Sequence, residues 1–189
     1  YYTDHFGRPP RGMWPSEGSV AQEIVSMTAA NGIQWMASSE GVLAHTLGMD
    51  SFTRDSNEVV VEADQLYRPY IVQGRNNGPV AMVFRDIILS DKVGFTYSGV
   101  SGEAAADDFI DRIHNICGRL QSPDANGETP QGPHLVSVIL DGENAWEHYD
   151  NDGKAFLHTL YQRLSDDPTI ITVTPTEFLE MAPEPPRLR

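Results

Sequence analysis

Four short acidic clusters hold the residues of this chain that could do chemistry. They are WPSE at 14–17, SSE at 38–40, RD at 85–86 and DGENAWEH at 141–148. Carboxylates accept hydrogen bonds from sugar hydroxyls, and a pair of carboxyl groups can cleave a glycosidic bond. The indole face of a tryptophan can cover the apolar side of a pyranose ring. The clusters therefore favour a carbohydrate as the substrate.

The elements that must position these clusters have the pattern of an α/β fold. Strand-like runs at 33–39, 79–84, 134–140 and 169–173 alternate with amphipathic helical patterns, of which 103–120 is the longest. This alternation predicts right-handed parallel crossovers, either in an open doubly wound sheet or in part of a barrel. In both architectures functional groups gather where the strands end, and this rule selects the four acidic clusters.

A single domain accounts for all 189 residues, 1–189. Residues 49–78 are polar, with turn formers around the aromatic run LYRPYIV, and we expect them to form an excursion over the site rather than a regular layer. The tail at 182–189 is rich in proline and is predicted to be irregular.

The formal charge of −14 argues against binding to nucleic acid or to an anionic membrane, because both need clustered Lys and Arg. The chain has no apolar run near the ~20 residues of a membrane span, and its one cysteine, Cys117, cannot form an internal disulfide. These features favour a cytoplasmic protein with a neutral or cationic ligand.

Each candidate residue also has a structural explanation. A glutamate just before a helix, as Glu17 is predicted to be, adds about 0.3–1 kcal/mol as a charge at the positive helix end. Asp86 is typical of a helix cap. Trp14 and Trp35 have the apolar bulk of core residues.

Metal and serine-hydrolase chemistry are not indicated. His148 lies beside Glu143 and Glu147, but the spacing HExxH is absent, and the loop at 150–153 lacks the glutamate that a calcium loop needs at its twelfth position. The motif GxSxG does not occur. We therefore expect neither a catalytic metal nor another cofactor.

Four segments in this order resemble a known family. GMWPSEGSVAQE, GIQWMASSEGVL, VFRDIILSDKVGF and ILDGENAWEHYDNDGKAFL are similar to the catalytic domain of glycoside hydrolase family 57, which includes α-amylases, amylopullulanases and 4-α-glucanotransferases. The similarity covers most of residues 8–180, and the amylopullulanase-like branch is the most similar in appearance.

The resemblance implies a partial (β/α)7 barrel and a retaining reaction on an α-1,4-linked glucan, with α-1,6 linkages left open. It maps the nucleophile onto Glu17 and the acid/base onto Asp86 of FRD rather than Asp91 of LSD. The other polar and aromatic residues of the motifs are expected to bind substrate: Trp14, Glu40, Arg85, Asp91, Asp141, Glu143, Trp146 and His148. Arg85 is expected to pair with Asp91, Glu143 or Glu40.

The chain also departs from the family pattern. The early His-containing motif is absent, so we expect an N-terminally truncated fragment without the first barrel strands, whose activity in isolation is doubtful. Two other classes stay open, namely a non-catalytic carbohydrate-binding member of the same fold and a metal-dependent, deacetylase-like barrel.

Overall fold

A four-stranded sheet lies at the centre of the computed structural model, which describes residues 1–75, 78–124, 127–142, 146–182 and 185–188. The strands are β1 (Gly12–Met13), β2 (Trp35–Ser39), β3 (Tyr70–Gln73) and β4 (Pro79–Arg85). Their order in the sheet is β1-β2-β4-β3, with β1, β2 and β4 parallel and β3 antiparallel to β4.

The two central strands bring two acidic clusters together. The apolar run of β4 is buried from Val80 to Phe84, as expected for a strand covered on both faces. The register pairs Trp35 with Ala81 and Ser39 with Arg85, so β2 and β4 end side by side. The SSE and FRD clusters consequently meet at one edge of the sheet.

The described residues contain eight helices: α1 (Tyr2–Phe6), α2 (Gln22–Ala30), α3 (Glu40–Thr46), α4 (Ala63–Leu66), α5 (Ile87–Gly94), α6 (Gly102–Leu120), α7 (Lys154–Asp166) and α8 (Pro175–Met181). The longest, α6, begins after Ser101, whose side chain accepts a hydrogen bond from the backbone N–H of Ala104. Its buried face includes Phe109 and Ile110 in the main core. None of the described helices is long and apolar enough to cross a membrane.

Two predicted strands are wrong. In the segment 134–140 the described backbone makes one isolated parallel bridge, between Ser137 and Arg85, and 169–173 contains no strand. The β-branched and apolar residues of both segments fit a sheet, but a strand also needs a neighbouring backbone along its length. Among the described residues the segment 134–140 has such a neighbour only at separate points, where Leu135 donates to the carbonyl of Tyr67 at 2.8 Å and Ser137 accepts from the N–H of Asp86 at 3.0 Å.

Part of the segment 49–78 joins the sheet instead of lying wholly outside it. It contains α4 and β3, and β3 pairs with the first half of β4 from Tyr70↔Met82 to Gln73↔Pro79. The outer edge of β3 is covered by the tail, because the N–H of Ile71 donates to the carbonyl of Pro186 at 2.8 Å. The described part of the tail, 185–188, is anchored to β3 at this point.

Candidate active site

A cavity of about 290 Å³ lies where β2 and β4 end. The residues that line it are Trp14, Glu17, Ser39, Arg85, Ser90, Asp91, Gly94, Phe95, Ile139, Leu140 and Asp141. All four motifs contribute, and three of the lining side chains are carboxylic acids. The juxtaposition of the motifs that strand-end reasoning predicted is therefore present in the fold.

Glu17 reaches the cavity from a strained turn. It lies in the short 3-10 turn Ser16–Gly18 with a left-handed backbone at φ 54° and ψ 22°, a conformation that is unfavourable for a residue with a Cβ. The turn is fixed by the Ser38 hydroxyl, which donates to the carbonyl of Gly18 at 2.6 Å. Helix α2 begins only at Gln22, so Glu17 is not in its first turn and the helix-end explanation does not apply.

Trp14 forms part of the cavity wall and packs on the same turn. A Cβ atom added at Gly18 would lie 2.7 Å from Cη2 of the Trp14 ring, which is closer than carbon atoms can approach. Gly18 also has a positive φ of 64°. Glycine at this position therefore lets the indole lie directly against the backbone beside Glu17.

Asp86 lies outside the cavity lining and is 1% exposed. Its Oδ1 accepts from the N–H of Leu89 at 3.0 Å, which makes it the N-cap of α5 as the structural alternative predicted. Its Oδ2 accepts from the Tyr67 hydroxyl at 2.6 Å. In this arrangement both oxygens are occupied by groups of the protein.

Arg54 completes the surroundings of Asp86. Its Nη2 lies 3.2 Å from Asp86 Oδ1 and 2.7 Å from Glu40 Oε2, and Glu40 also accepts from the N–H of Ile87 at 2.9 Å. Burial alone would lower the pKa of Arg54, but the two carboxylates more than offset this and raise it. Burial and the neighbouring Asp86 carboxylate raise the pKa of Tyr67.

Arg85 and Asp91 form the ion pair of the cavity itself. The Nη2 of Arg85 lies 3.6 Å from Asp91 Oδ1, which is one of the three pairings predicted for Arg85. Glu40 is occupied by Arg54 instead. The Nε of Arg85 is buried and has no hydrogen-bond partner among the described residues, so it can donate to a ligand oxygen.

The other predicted binding residues are dispersed. Asp141 is exposed and lines the cavity, whereas Glu143 lies outside the described residues. Trp146 packs in an aromatic cluster, with ring centroids 5.5 Å from Tyr149 and 6.3 Å from Phe156. His148 is exposed, pairs with Glu147 at 3.4 Å, and is not among the lining residues.

Sequence reasoning missed several residues of the site. Arg54 and Tyr67 come from the segment 49–78, where no pattern marks either one as a partner of Asp86. Ser90 was present in a recognised motif but was given no role. Its hydroxyl accepts from the N–H of Ile139 at 3.2 Å and joins α5 to the segment 134–140.

No group of three or more His, Cys, Asp or Glu side chains in the described part of the chain could hold a metal ion.

The fold and the cavity define an α/β protein whose carboxyl-lined site lies at the ends of parallel strands. The family model described as Glycosyl hydrolase family 57 matches residues 1–188, so the chain belongs to this family. A comparison with curated proteins gave no match.

The solved structure of the 4-α-glucanotransferase from Thermococcus litoralis has a similar fold. The TM-score is 0.66 at 16% sequence identity, and the match covers 97% of this chain and 24% of that one. The chain thus spans about a quarter of the length of this structure. The match confirms the α/β class that was expected as a partial (β/α)7 barrel.

Proposed function

We propose that this chain carries the catalytic carboxyl groups of an enzyme that cleaves or transfers glycosidic bonds of α-glucans with retention of configuration. One observation carries the proposal: in a family 57 member, Glu17 projects from a strained turn into a cavity that also contains Asp91, Asp141 and the Trp14 ring. Non-glycine residues in left-handed conformations cluster at functional sites, where the fold holds them in place.

Glu17 is the proposed nucleophile. In a retaining reaction it attacks the anomeric carbon and forms a covalent glycosyl-enzyme, while a second carboxyl about 5–5.5 Å away protonates the departing oxygen. The second group then deprotonates the acceptor that releases the sugar. Water as the acceptor gives hydrolysis and a sugar hydroxyl gives transfer, so both outcomes use the same carboxyl pair.

Two aspartates are candidates for the acid/base, and a different observation supports each. The family resemblance maps the role onto Asp86, which would have to lose Arg54 and Tyr67 as partners before it could reach a substrate. Asp91 already lines the cavity with Glu17 and is 47% exposed, although it also pairs with Arg85 at 3.6 Å. The described geometry favours Asp91, since it requires no rearrangement.

Single substitutions in the full-length protein that contains this chain separate these roles. With maltooligosaccharides and pullulan as substrates, Glu17→Gln should reduce kcat below about a thousandth of the original value. The acid/base variant, Asp91→Asn or Asp86→Asn, should lose ~100- to 10,000-fold with these substrates but much less with α-glucosyl fluoride, whose leaving group needs no proton. Asp141→Asn tests the third carboxyl of the cavity, to which the family resemblance assigns substrate binding rather than acid/base chemistry.

Full turnover of Glu17→Gln on maltooligosaccharides would refute the assignment of Glu17 as the nucleophile.

The burial of Asp86 favours a second candidate function, that of a non-catalytic carbohydrate-binding member of the fold. This alternative predicts maltooligosaccharide binding by calorimetry that survives in Glu17→Gln, with no turnover in the unmodified protein. Cleavage of maltooligosaccharides or of pullulan by the unmodified protein excludes this alternative.

A further inference from the structure

Arg54 connects the ends of the two central strands. Its Nη2 contacts Glu40 Oε2 and Asp86 Oδ1 at 2.7 and 3.2 Å, so one nitrogen bridges two carboxylates. Glu40 directly follows Ser39, the last residue of β2, and Asp86 directly follows Arg85, the last residue of β4. Each bridged carboxylate is therefore one residue from a side chain that lines the cavity.

The bridge is shielded from water. The side chains of Arg54, Glu40 and Asp86 are 16%, 12% and 1% exposed, respectively. Charged groups that lose most of their hydration stay ionised only when their partners are well placed, and removing one partner leaves an uncompensated charge. Here the removal of one guanidinium would leave two carboxylates facing the same space.

Arg54 also has a path to the cavity ion pair. It holds Asp86, whose neighbour Arg85 pairs with Asp91 across the cavity. The N–H of Ile87, the first residue of α5, donates to Glu40, so the same cluster fixes the start of the helix that carries Asp91. A shift of the Glu40 and Asp86 carboxylates would consequently move both members of the Arg85–Asp91 pair.

We propose that Arg54 is a positioning residue for the cavity, which acts by clamping Glu40 and Asp86 so that Ser39, Arg85 and Asp91 keep their places. This inference rests on the proposed function. Arg54 belongs to the segment that precedes α4, so this segment would stabilise the cavity through a side chain that does not itself contact the substrate.

Arg112 offers a matched control. Its side chain is 17% exposed, and it bridges Glu58 at 2.9 Å and Asp108 at 2.8 Å. From α6 it pairs with Glu58 of the segment before α4 and with Asp108 of its own helix, and it does not line the cavity. Arg112→Met therefore removes an equally shielded guanidinium without touching Glu40 or Asp86.

The substitution Arg54→Met should produce a characteristic dependence on pH. Without the guanidinium, repulsion between Glu40 and Asp86 keeps one proton on the pair, and its pKa rises above the value in the unfolded chain. The stability of this variant is then fully present below the ordinary carboxyl pKa and is lost as the pH rises through the raised value. In the described structure the titratable groups that face the pair are Arg54 and the Tyr67 hydroxyl.

The experiment measures kcat, KM and the thermal midpoint from about pH 5 to about pH 8 for both methionine variants. For Arg54→Met we expect the midpoint to fall as the pH rises and kcat to fall roughly 10- to 100-fold with a smaller change in KM. The double variant Arg54→Met/Glu40→Gln should lose the pH dependence of the midpoint, because one of the two charges is gone. Arg112→Met should lower the midpoint equally at all these pH values and leave kcat unchanged.

A second variant covers the case in which Arg54→Met does not fold. Arg54→Lys keeps a charge but supplies only one nitrogen, and it should fold throughout the range with an intermediate loss of kcat. Identical pH profiles for Arg54→Met and Arg112→Met, or an unchanged kcat in both Arg54 variants, would overturn the proposal. Loss of function in Glu17→Gln, measured alongside, shows separately that the proposed function itself holds.

Discussion

Asp86 contributes to the fold through both of its carboxylate oxygens. Oδ1 caps α5 and pairs with Arg54, while Oδ2 accepts from Tyr67. These donors hold the buried carboxylate in one position, since each of its oxygens is hydrogen-bonded within the fold. Any catalytic use of this side chain has to compete with its structural partners.

The first prediction concerns the free energy of unfolding. Asp86→Ala leaves the Arg54 guanidinium with one carboxylate partner fewer and removes a helix cap, so we expect a loss of about 3–5 kcal/mol. Ser101→Ala removes only the cap of α6 and should lose about 1 kcal/mol. Denaturant titration of both variants checks the difference, and equal losses would show that the buried ion pair adds nothing.

The turn that carries Glu17 gives a second prediction. Gly7 and Gly18 both have positive φ angles, 71° and 64°, but only a Cβ at Gly18 meets the Trp14 ring. Gly7→Ala should destabilise the protein by about 1–2 kcal/mol. Gly18→Ala should add about 1–3 kcal/mol of overpacking and alter the tryptophan fluorescence. Equal stability and spectra for the two variants would contradict the packing of Trp14 on this turn.

At the scale of single residues, the predictable part of the site is the part held by local sequence. The cap role of Asp86 and the pairing of Arg85 with Asp91 join residues three and six positions apart. Arg54 and Tyr67 reach Asp86 from 32 and 19 residues away, through a segment without regular periodicity. Such contacts depend on the path of the chain, which the spacing of residue types does not encode.

Among the larger elements, the segment before α4 is fastened to its neighbours by acidic side chains. Asp55 pairs with Arg119 of α6 at 2.7 Å, and Glu58 pairs with Lys92 of α5 at 3.2 Å. The hydrogen bond from Arg119 lowers the pKa of Asp55, and the one from Lys92 lowers the pKa of Glu58. The ordering of this segment thus depends on ionised carboxylates.

A third prediction follows for acid conditions. Since the folded pKa values of Asp55 and Glu58 are depressed, their contribution is present above the ordinary carboxyl pKa and is lost as the pH falls through the depressed values. Hydrogen exchange across 51–62 should therefore increase below about pH 4, before the core strands exchange. Asp55→Asn should show part of this increase already at neutral pH. If residues 51–62 and the core strands began to exchange at the same pH, the prediction would be contradicted.

The elements that were predicted correctly are those in which the sequence pattern of apolar residues directly reflects a buried face. The apolar run of β4 and the amphipathic period of α6 are sufficient to identify them, because each buries a continuous face. The runs 134–140 and 169–173 have equally suitable residues, yet a strand also needs a partner backbone. The antiparallel strand β3 was missed because its aromatic and proline neighbours resemble a loop.

On the scale of the whole molecule, the dominant electrostatic feature is the net charge of −14. Self-repulsion at this charge destabilises the compact state, and salt screens it. A neutral glucan, which is the proposed substrate, feels no long-range attraction or repulsion from the protein. Stability and catalysis should therefore respond differently to ionic strength.

The fourth prediction uses this difference. Raising the salt concentration from about 0.01 M to about 0.5 M should raise the thermal midpoint, because the Debye length falls well below the distances between surface charges. Over the same range kcat/KM for a maltooligosaccharide should change less than about twofold. A steep fall of kcat/KM with salt would point to a charged substrate instead.

The divided edge of β4 has a consequence for how the chain folds. β3 covers the first half of this edge, and Ser137 approaches its last residue, Arg85, while β2 occupies the opposite edge. The partners of one short strand thus come from positions near 37, 72 and 137. Closing the longest of these loops costs conformational entropy, and this cost arises before the contacts at Ser137 can offset it. We expect the docking of Ser137 to be a late event in folding, so that the cavity forms after the central strands have paired.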